Sequence, residues 1–376
     1  MYVVTDRGGH YPSCWFVQVK IGSQAIAQPN FSEDVVAKCC GKNLQLIINN
    51  LMRILVTGAS GCVGHYISET LIQNTDHELF LFVRNPAKLK LDITVRPGIH
   101  VVRSDMHEIE QQAELLKTIN VAVLTAAGWG GQEAFDINYT KTHVLLDLLD
   151  PHVCQQVIYF STESVLDREN KLLPEAGRIG TDYIMSKYQC LDKLTKAAHA
   201  PDGADSIAAK VTAVFPTLVL GGDDQKPYSF LSADLPNVAK YVGLLQWFSA
   251  DGSFHFIHAK DIAEVVRHLI AHPEIADRFD HRLVLGNQLV TADDGIREIC
   301  AYFGKKSPFR IPLSISIANF FIKLFKIQMA EWDRFCLNYR HFSHANPVSP
   351  ATFGLTSYAP TITDIFRTRG IVNYQS

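Results

Sequence analysis

The sequence predicts an α/β protein built on a doubly wound parallel sheet, with a smaller C-terminal lobe. Between residues 52 and about 290, short apolar runs alternate with helical segments of about a dozen residues, the pattern of parallel βαβ units. Residues 54–57 form an apolar strand directly before a glycine-rich turn. Because crossovers between parallel strands are right-handed, we expect helices on both faces of one sheet.

Changes in the pattern of apolar and polar residues divide the chain into parts. Residues 1–51 lack clear periodicity and are interpreted as an N-terminal extension, either an appendage or the product of a wrongly chosen start codon. Residues 52–221 are predicted to be the sheet domain, completed by residues 254–290. Residues 222–253 and 291–376 are predicted to form the smaller lobe.

Composition and charge exclude several classes of protein. The 376 residues are 47% hydrophobic and 19% charged, an ordinary globular mixture. A net charge of −3 and the lack of a basic cluster argue against a nucleic-acid-binding protein. The eight cysteines form no CxxC pair and no cluster with zinc spacing, which predicts no metal site and reduced thiols in a cytoplasmic protein.

The sequence contains no convincing membrane segment. Residues 1–20 lack the continuous apolar run of a secretory signal. Residues 311–327 are rich in Leu, Ile and Phe, but Lys323 and Lys326 interrupt them and the run is shorter than the ~20 residues of a spanning helix. We expect a buried or partner-facing amphipathic helix there, with peripheral membrane contact as the alternative.

The glycine-rich turn after the first strand predicts a nucleotide site. Residues 57–64 read TGASGCVG and open the next helix. Glycines permit a tight turn and close approach of a pyrophosphate, and the free N–H groups of a helix N-terminus attract phosphate. The candidate cofactor contacts are Thr57, Gly58, Ser60, Gly61, Cys62, Val63 and Gly64.

The end of the second strand bears on the choice between NAD and NADP. NAD sites usually place an acidic residue there to bind the ribose 2′-hydroxyl, whereas this chain has Val83 and Arg84. An arginine beside the ribose can pair with a 2′-phosphate. The sequence therefore favours NADP, with NAD as the alternative if Arg84 is only a solvated surface residue.

A Tyr-x-x-x-Lys pair predicts proton-transfer chemistry. On a helix, Tyr183 and Lys187 lie one turn apart on the same face. A neighbouring ammonium favours the phenolate, so we expect a lowered Tyr183 pKa. The hydroxyl of Thr162 or Ser161, at the end of the preceding strand, can hold a substrate oxygen.

With these motifs, the chain resembles the extended short-chain dehydrogenases/reductases, the NAD(P)-dependent epimerase/dehydratase family, over nearly all of residues 52–370. The resemblance implies a Rossmann domain, a cofactor turn at Gly58, Gly61 and Gly64, and a homodimer. It also implies catalytic Tyr183, Lys187 and Thr162, a supporting Asn138, and cofactor contacts from Asp105 and Pro216. Further candidate cofactor contacts are Met106, Ala126 and Ala127.

The departures from this family pattern affect the expected reaction. Phe215 stands where an arginine is usual, which weakens a sugar-nucleotide interpretation. The family's dehydratases have Thr-Asp-Glu after the strand, and here Thr162 is followed by Glu163 and Ser164, leaving one carboxylate. Residues 83–86, Val-Arg-Asn-Pro, resemble the NADPH-using reductase branch.

Three functional hypotheses follow. The first is an NADP-dependent reductase or dehydrogenase of a small-molecule carbonyl/alcohol pair. The second is a sugar-nucleotide epimerase with tightly bound NAD, and the third is a non-catalytic NADP-binding sensor. Because non-catalytic relatives commonly lack the Tyr/Lys pair, its presence at Tyr183 and Lys187 favours an enzyme.

Overall fold

The computed structural model describes residues 2–5, 16–19, 51–201, 203, 205–306, 309–317, 319 and 328–371. The chain divides into two units, Met1–Asn50 and Leu51–Ser376. In the first, strands Tyr2–Thr5 and Phe16–Val19 pair antiparallel. The amphipathic helix predicted within residues 311–327 falls mostly outside the described residues, and Ile311–Leu313 at its start is a short strand.

A seven-stranded parallel sheet forms the centre of the second unit. Its strands are β1 Arg53–Thr57, β2 Glu78–Val83, β3 Ile99–Arg103, β4 Val121–Leu124, β5 Gln156–Phe160, β6 Val211–Pro216 and β7 Arg282–Leu285. Their order across the sheet is β3-β2-β1-β4-β5-β6-β7. This order confirms the doubly wound sheet, in which a crevice opens at the carboxyl ends of β1 and β4 where the winding reverses.

Helices cover both faces of the sheet. They are α1 Cys62–Asn74, α2 Ala113–Leu116, α3 Gly131–Phe135, α4 Thr142–Leu148, α5 Pro174–Ile179, α6 Asp182–Ala198, α7 Phe230–Leu245, α8 Ala259–Ala271, α9 Ala292–Tyr302, α10 Glu331–Tyr339 and α11 Ile362–Thr368. Ile54 and Val56 of β1 pack with α1 and α8, whereas Leu55 packs with α4 and α6 on the opposite face. Successive side chains of a strand point to opposite faces, so β1 contributes to two cores.

Shorter elements complete the unit. The 3₁₀ turns are Pro86–Lys88, Met106–Gln112, Glu163–Val165, Ile207–Lys210, Pro273–Phe279 and Pro350–Phe353. Leu218–Leu220 pairs parallel with Phe256–His258, and Phe248–Ala250 pairs parallel with Ile311–Leu313. Ser253–Phe254 pairs antiparallel with Val290–Thr291.

Apolar periodicity in the sequence predicts a strand from residue 208 to 215 and a helix from residue 138 to 149, and both elements begin elsewhere in the structure. The strand expected from residue 208 begins at Val211, because Ser206 caps a 3₁₀ turn by accepting a hydrogen bond from the Ala209 N–H at 3.4 Å. The helix expected from Asn138 begins at Gly131 and contains a π-helical stretch, Asp136–Lys141. Local capping and tertiary contacts override apolar periodicity at both positions.

In the part of the chain that the structure describes, every helix is too short or too polar to cross a membrane.

The turn between β1 and α1 requires glycine at two positions. Gly58 has φ +66°, and a Cβ there would lie 2.8 Å from the Ala126 amide nitrogen. A Cβ on Gly64 would collide with the Gly58 carbonyl oxygen, which is backbone and cannot rotate away. The first turn of α1 therefore packs directly against the chain that leaves β1.

Gly64→Ala is expected to destabilise the protein by about 3 kcal/mol, because the added methyl overpacks a backbone contact. The matched control is Gly243→Ala in α7, where an added Cβ meets no atom within 4 Å. That exposed helical change should stabilise the protein by up to about 1 kcal/mol. Urea unfolding of both variants measures the difference, and equal stabilities would contradict the close approach at Gly64.

Candidate active site

The glycine-rich turn is attached to the neighbouring strand by side-chain hydrogen bonds. The Thr125 hydroxyl donates to the Thr57 carbonyl at 2.6 Å, and the Thr57 hydroxyl accepts from the Ala126 N–H at 3.2 Å. Within the turn, the Gly61 N–H donates to the Gly58 carbonyl at 2.9 Å. These bonds bring the turn and Ala126, two predicted cofactor contacts, to the same edge of the sheet.

The N-terminus of α1 provides a phosphate-sized cradle. Its N-cap, Gly61, makes no side-chain capping bond, and the first intrahelical bond runs from His65 N–H to Gly61 carbonyl at 2.8 Å. The amides of Cys62, Val63 and Gly64 precede that bond and are available to an anion. Because the N-cap residue Gly61 carries no side chain to cover these amides, the residues present fit the pyrophosphate of a dinucleotide.

The Cys62 thiol at this helix N-terminus stays protonated. Burial raises its pKa to about 12. A thiolate beside a phosphate would repel it, so a neutral thiol is compatible with the predicted site.

Arg84 follows β2, as predicted, but it has a partner that the sequence did not reveal. Its Nη1 lies 3.6 Å from Glu133 Oε1 of α3, and the two side chains are 66% and 53% exposed. An exposed pair of this kind contributes little stability. A negatively charged 2′-phosphate on Arg84 would therefore have to compete with a nearby carboxylate.

The remaining cofactor candidates end strands or begin turns at the same edge. The Asp105 carboxylate caps the turn that begins at Met106, accepting from the His107 N–H at 3.0 Å. Ala127 is half-buried after β4. Pro216 ends β6 and lies in register with Leu285 of β7.

Asn138 connects the loop after β4 to the helix that carries Tyr183. Its Oδ1 accepts from the Gly128 N–H at 2.9 Å, and its Nδ2 donates to the Gly128 carbonyl at 2.8 Å and to the Ser186 hydroxyl at 3.0 Å. Asn138 is completely buried and lies in the π-helical stretch. It therefore supports the site rather than reaching into it, and Ser186 is a contact that sequence reasoning missed.

Tyr183, Lys187 and Thr162 converge where β5 meets α6. The Thr162 hydroxyl lies close enough to the Tyr183 phenol to lower the pKa of the phenol, and it accepts from the Ser164 N–H at 3.4 Å. One turn further along α6, the Lys187 Nζ donates to the carbonyl of Phe160, the last residue of β5, at 2.7 Å. The Lys187 side chain is almost completely buried.

Burial dominates the titration of this pair. It raises the pKa of Tyr183 to about 12, and the nearby Thr162 hydroxyl offsets only part of that shift. Burial also lowers the pKa of Lys187 to about 8, because the ammonium has lost its water shell. The expectation of a lowered Tyr183 pKa is therefore wrong for this structure, in which the phenol remains protonated at neutral pH.

An exposed tryptophan lies against the catalytic candidate. The Trp129 indole stacks on the Tyr183 ring with centroids 4.7 Å apart and planes 18° apart, yet Trp129 is 73% exposed. Beside it, the Gly131 N–H donates to Asp182 Oδ2 at 2.8 Å. The loop after β4 thus forms one wall of the space around the phenol.

The carboxylate after β5 is buried rather than open to this space. Glu163 pairs with His344, and their side chains are 7% and 2% exposed. Sequence reasoning did not single out His344, because no local pattern distinguishes it from other loop histidines.

Three structures similar to this one contain the same type of fold. The dTDP-glucose 4,6-dehydratase of Bacillus anthracis, solved with NAD, is 16% identical, with a TM-score of 0.57 over 85% of this chain and 96% of that chain. The Bordetella bronchiseptica enzyme WbmG, also with NAD, is 13% identical, with a TM-score of 0.55 over 86% and 96%. The terminal R domain of the myxalamid PKS-NRPS pathway is 17% identical, with a TM-score of 0.61 over 87% and 93%.

Sequence comparison gives a family but no individual relative. A comparison with curated proteins produced no match. Residues 54–284, more than half of the chain, match the family described as the NAD dependent epimerase/dehydratase family. Together with the glycine turn and the Tyr/Lys pair, this match establishes that the chain belongs to the NAD-dependent epimerase/dehydratase family.

Proposed function

We propose that this protein is an NADP(H)-dependent reductase or dehydrogenase of a small-molecule carbonyl/alcohol pair. The observation that carries the proposal is the proximity of the Thr162 hydroxyl to the Tyr183 phenol, one helical turn from the buried Lys187, at the sheet edge that holds the glycine turn. Residues 222–253 and 291–376 remain our proposed substrate-side lobe.

Each side chain has a defined part in carbonyl reduction. A protonated phenol is the form that can donate a proton, so Tyr183 protonates the substrate oxygen while the Thr162 hydroxyl holds that oxygen in place. Lys187 uses one N–H on Phe160, leaving two for the ribose hydroxyls and for the charge that develops on the phenol. A bound nicotinamide supplies the hydride.

The position of Glu163 supports reduction over dehydration. Dehydration requires an acid and a base at the substrate, and this chain has one carboxylate after β5. That carboxylate is buried against His344. Phe215, in place of the arginine usual in the family, is completely buried in β6 and offers no charge to a substrate pyrophosphate.

A sugar-nucleotide epimerase is the second candidate, and the Arg84–Glu133 pair favours it. Glu133 reduces the net positive charge at the place where a 2′-phosphate would bind. A carboxylate near the ribose could instead accept a hydrogen bond from the 2′-hydroxyl of NAD. The similar dehydratase and WbmG structures contain NAD.

Cofactor titration separates these candidates. We expect NADPH to bind at least about tenfold more tightly than NADH, because an arginine–phosphate contact is worth roughly 1.5–3 kcal/mol. Arg84→Ala should abolish the preference, and Glu133→Gln should increase it. The exposed Arg278→Ala serves as the control. Copurified NAD, or a preference for NADH, would contradict the proposal and favour the epimerase.

Tyr183→Phe is expected to reduce kcat by about 100-fold or more, because it removes the proton donor. Tyr188→Phe, which removes a phenol from the same helix without touching Thr162, should retain activity. The assay follows NADPH oxidation with para-nitrobenzaldehyde as the probe substrate. Equal activity of the two variants would show that Tyr183 is not the proton donor.

Lys187→Met is expected to lower activity and to increase stability near neutral pH. The pKa of Lys187 falls from its ordinary 10.5 to about 8 on folding, so burying its charge costs about 3 kcal/mol below pH 8. That cost disappears as the pH rises from 8 to 10.5. Relative to the wild type, the variant should therefore be most stable near pH 7 and lose this advantage towards pH 10, as measured by urea unfolding at each pH.

The activity of Lys187→Met should be lower than that of the wild type, as is expected for Tyr183→Phe. If the stability difference between Lys187→Met and wild type did not change between pH 7 and 10, the buried ammonium would be excluded.

A further inference from the structure

We propose that Glu163 and His344 form a buried pair sharing one proton, and that this pair positions the Thr162 loop from the C-terminal part of the chain. The inference rests on the proposed function, since it assigns a positioning role to residues beside the proposed substrate-oxygen site. His344 lies outside residues 54–284, which match the family.

The geometry places the pair directly behind the active site. Glu163 follows Thr162 and begins the turn Glu163–Val165. Its Oε2 lies 3.2 Å from His344 Nε2, within ion-pair distance, and neither atom makes an aligned hydrogen bond to any described residue. Thr162 and Glu163 are consecutive and Thr162 caps the turn that Glu163 begins, so a shift of Glu163 is transmitted to Thr162 through their shared peptide.

The number of protons on the Glu163–His344 pair follows from the partner of His344 Nδ1. His344 Nδ1 lies 3.2 Å from the Asp167 carbonyl oxygen, and because a carbonyl can only accept, Nδ1 carries a proton. Nε2 and Oε2 then share a second proton, as imidazolium–carboxylate or as neutral imidazole–carboxylic acid. Either arrangement is neutral overall, whereas gaining or losing one proton leaves a net charge in a buried site.

The surrounding titratable groups are hydrogen-bonded to backbone groups rather than to the side chains of the pair. His255 Nε2 accepts from the His344 N–H at 3.2 Å, its Nδ1 lies 2.8 Å from the Asn287 carbonyl, and burial lowers its pKa. The Asp167 carboxylate accepts from the N–H groups of Glu169 and Lys171. The nearby guanidinium groups, Arg168 and Arg282, donate to backbone carbonyls.

The same two segments are joined by further bonds. Asn170 Nδ2 donates to the Ala345 carbonyl at 2.7 Å, and Arg168 donates to the Tyr339 and His341 carbonyls at 3.0 and 3.1 Å. Beyond them, the Val348 N–H donates to the Val284 carbonyl of β7 at 2.8 Å. These contacts are mostly exposed, so the buried pair is the part of the connection that is sensitive to charge.

The kinetic test compares Glu163→Gln with the matched control Glu169→Gln, an exposed carboxylate in the same loop. With NADPH and para-nitrobenzaldehyde, Glu163→Gln should lower kcat about tenfold and change KM and the NADPH Kd by less than about twofold, as expected for lost orientation. His344→Gln should behave similarly, and the double variant should be no worse than the poorer single variant.

The pH dependence of kcat distinguishes a positioning role of the pair from a purely structural role. As the pH falls, the pair gains a second proton and becomes a buried cation, so the wild-type kcat should decline on the acid side. In Glu163→Gln no carboxylate balances an imidazolium, so the buried cation forms after uptake of one proton instead of two, and this decline should move to higher pH. Glu169→Gln should retain the wild-type profile.

Hydrogen exchange distinguishes failure of the pair from failure of the proposed function. We expect faster amide exchange in residues 164–173 and 341–348 of Glu163→Gln than of wild type or Glu169→Gln. A wild-type kcat and pH profile in Glu163→Gln, or a loss of NADPH binding together with kcat, would overturn the inference. If wild type reduced no carbonyl, the proposed function would fail, and unchanged exchange in Glu163→Gln would overturn the pair independently.

Discussion

The Asn138 side chain holds together the two halves of the candidate site. Its amide bonds both backbone groups of Gly128, in the loop after β4, and the Ser186 hydroxyl on α6. A buried amide that is fully hydrogen-bonded is costly to displace, because each lost partner leaves a desolvated polar group. The cofactor edge of the sheet and the helix with Tyr183 and Lys187 therefore have a fixed relative position, supported from behind by a π-helical stretch.

The doubly wound parallel sheet and the glycine turn could be predicted from the sequence because they depend on local patterns. Apolar runs, helix length and glycine spacing are all visible along the chain, and Gly58 and Gly64 occupy the predicted positions. The Glu133 and His344 contacts could not be predicted, because each joins segments that meet only after folding. The Tyr183 pKa was predicted in the wrong direction because its main cause, burial, is a tertiary property.

Two ionisable side chains, Lys187 and Glu163, are buried near the end of β5. Lys187 is held near a backbone carbonyl with a pKa of about 8, and Glu163 is held against a histidine. Buried ionisable groups are expensive to maintain, and proteins commonly keep them where function requires a defined protonation state. Thr162 follows β5 and precedes Glu163, so the groups that we propose to contact a substrate oxygen there, Thr162 and Tyr183, are hydroxyls rather than charged side chains.

Trp129 is an intrinsic fluorescent probe beside Tyr183, the candidate proton donor. Its indole lies on the Tyr183 ring and remains largely open to solvent. Indole emission overlaps the absorption of a reduced nicotinamide, so a dinucleotide bound at this edge would accept excitation energy from the neighbouring ring. The chain has three other tryptophans, so the part of the indole emission that Trp129→Phe removes should report the occupancy of the cleft and the redox state of its occupant, without any label attached to the protein.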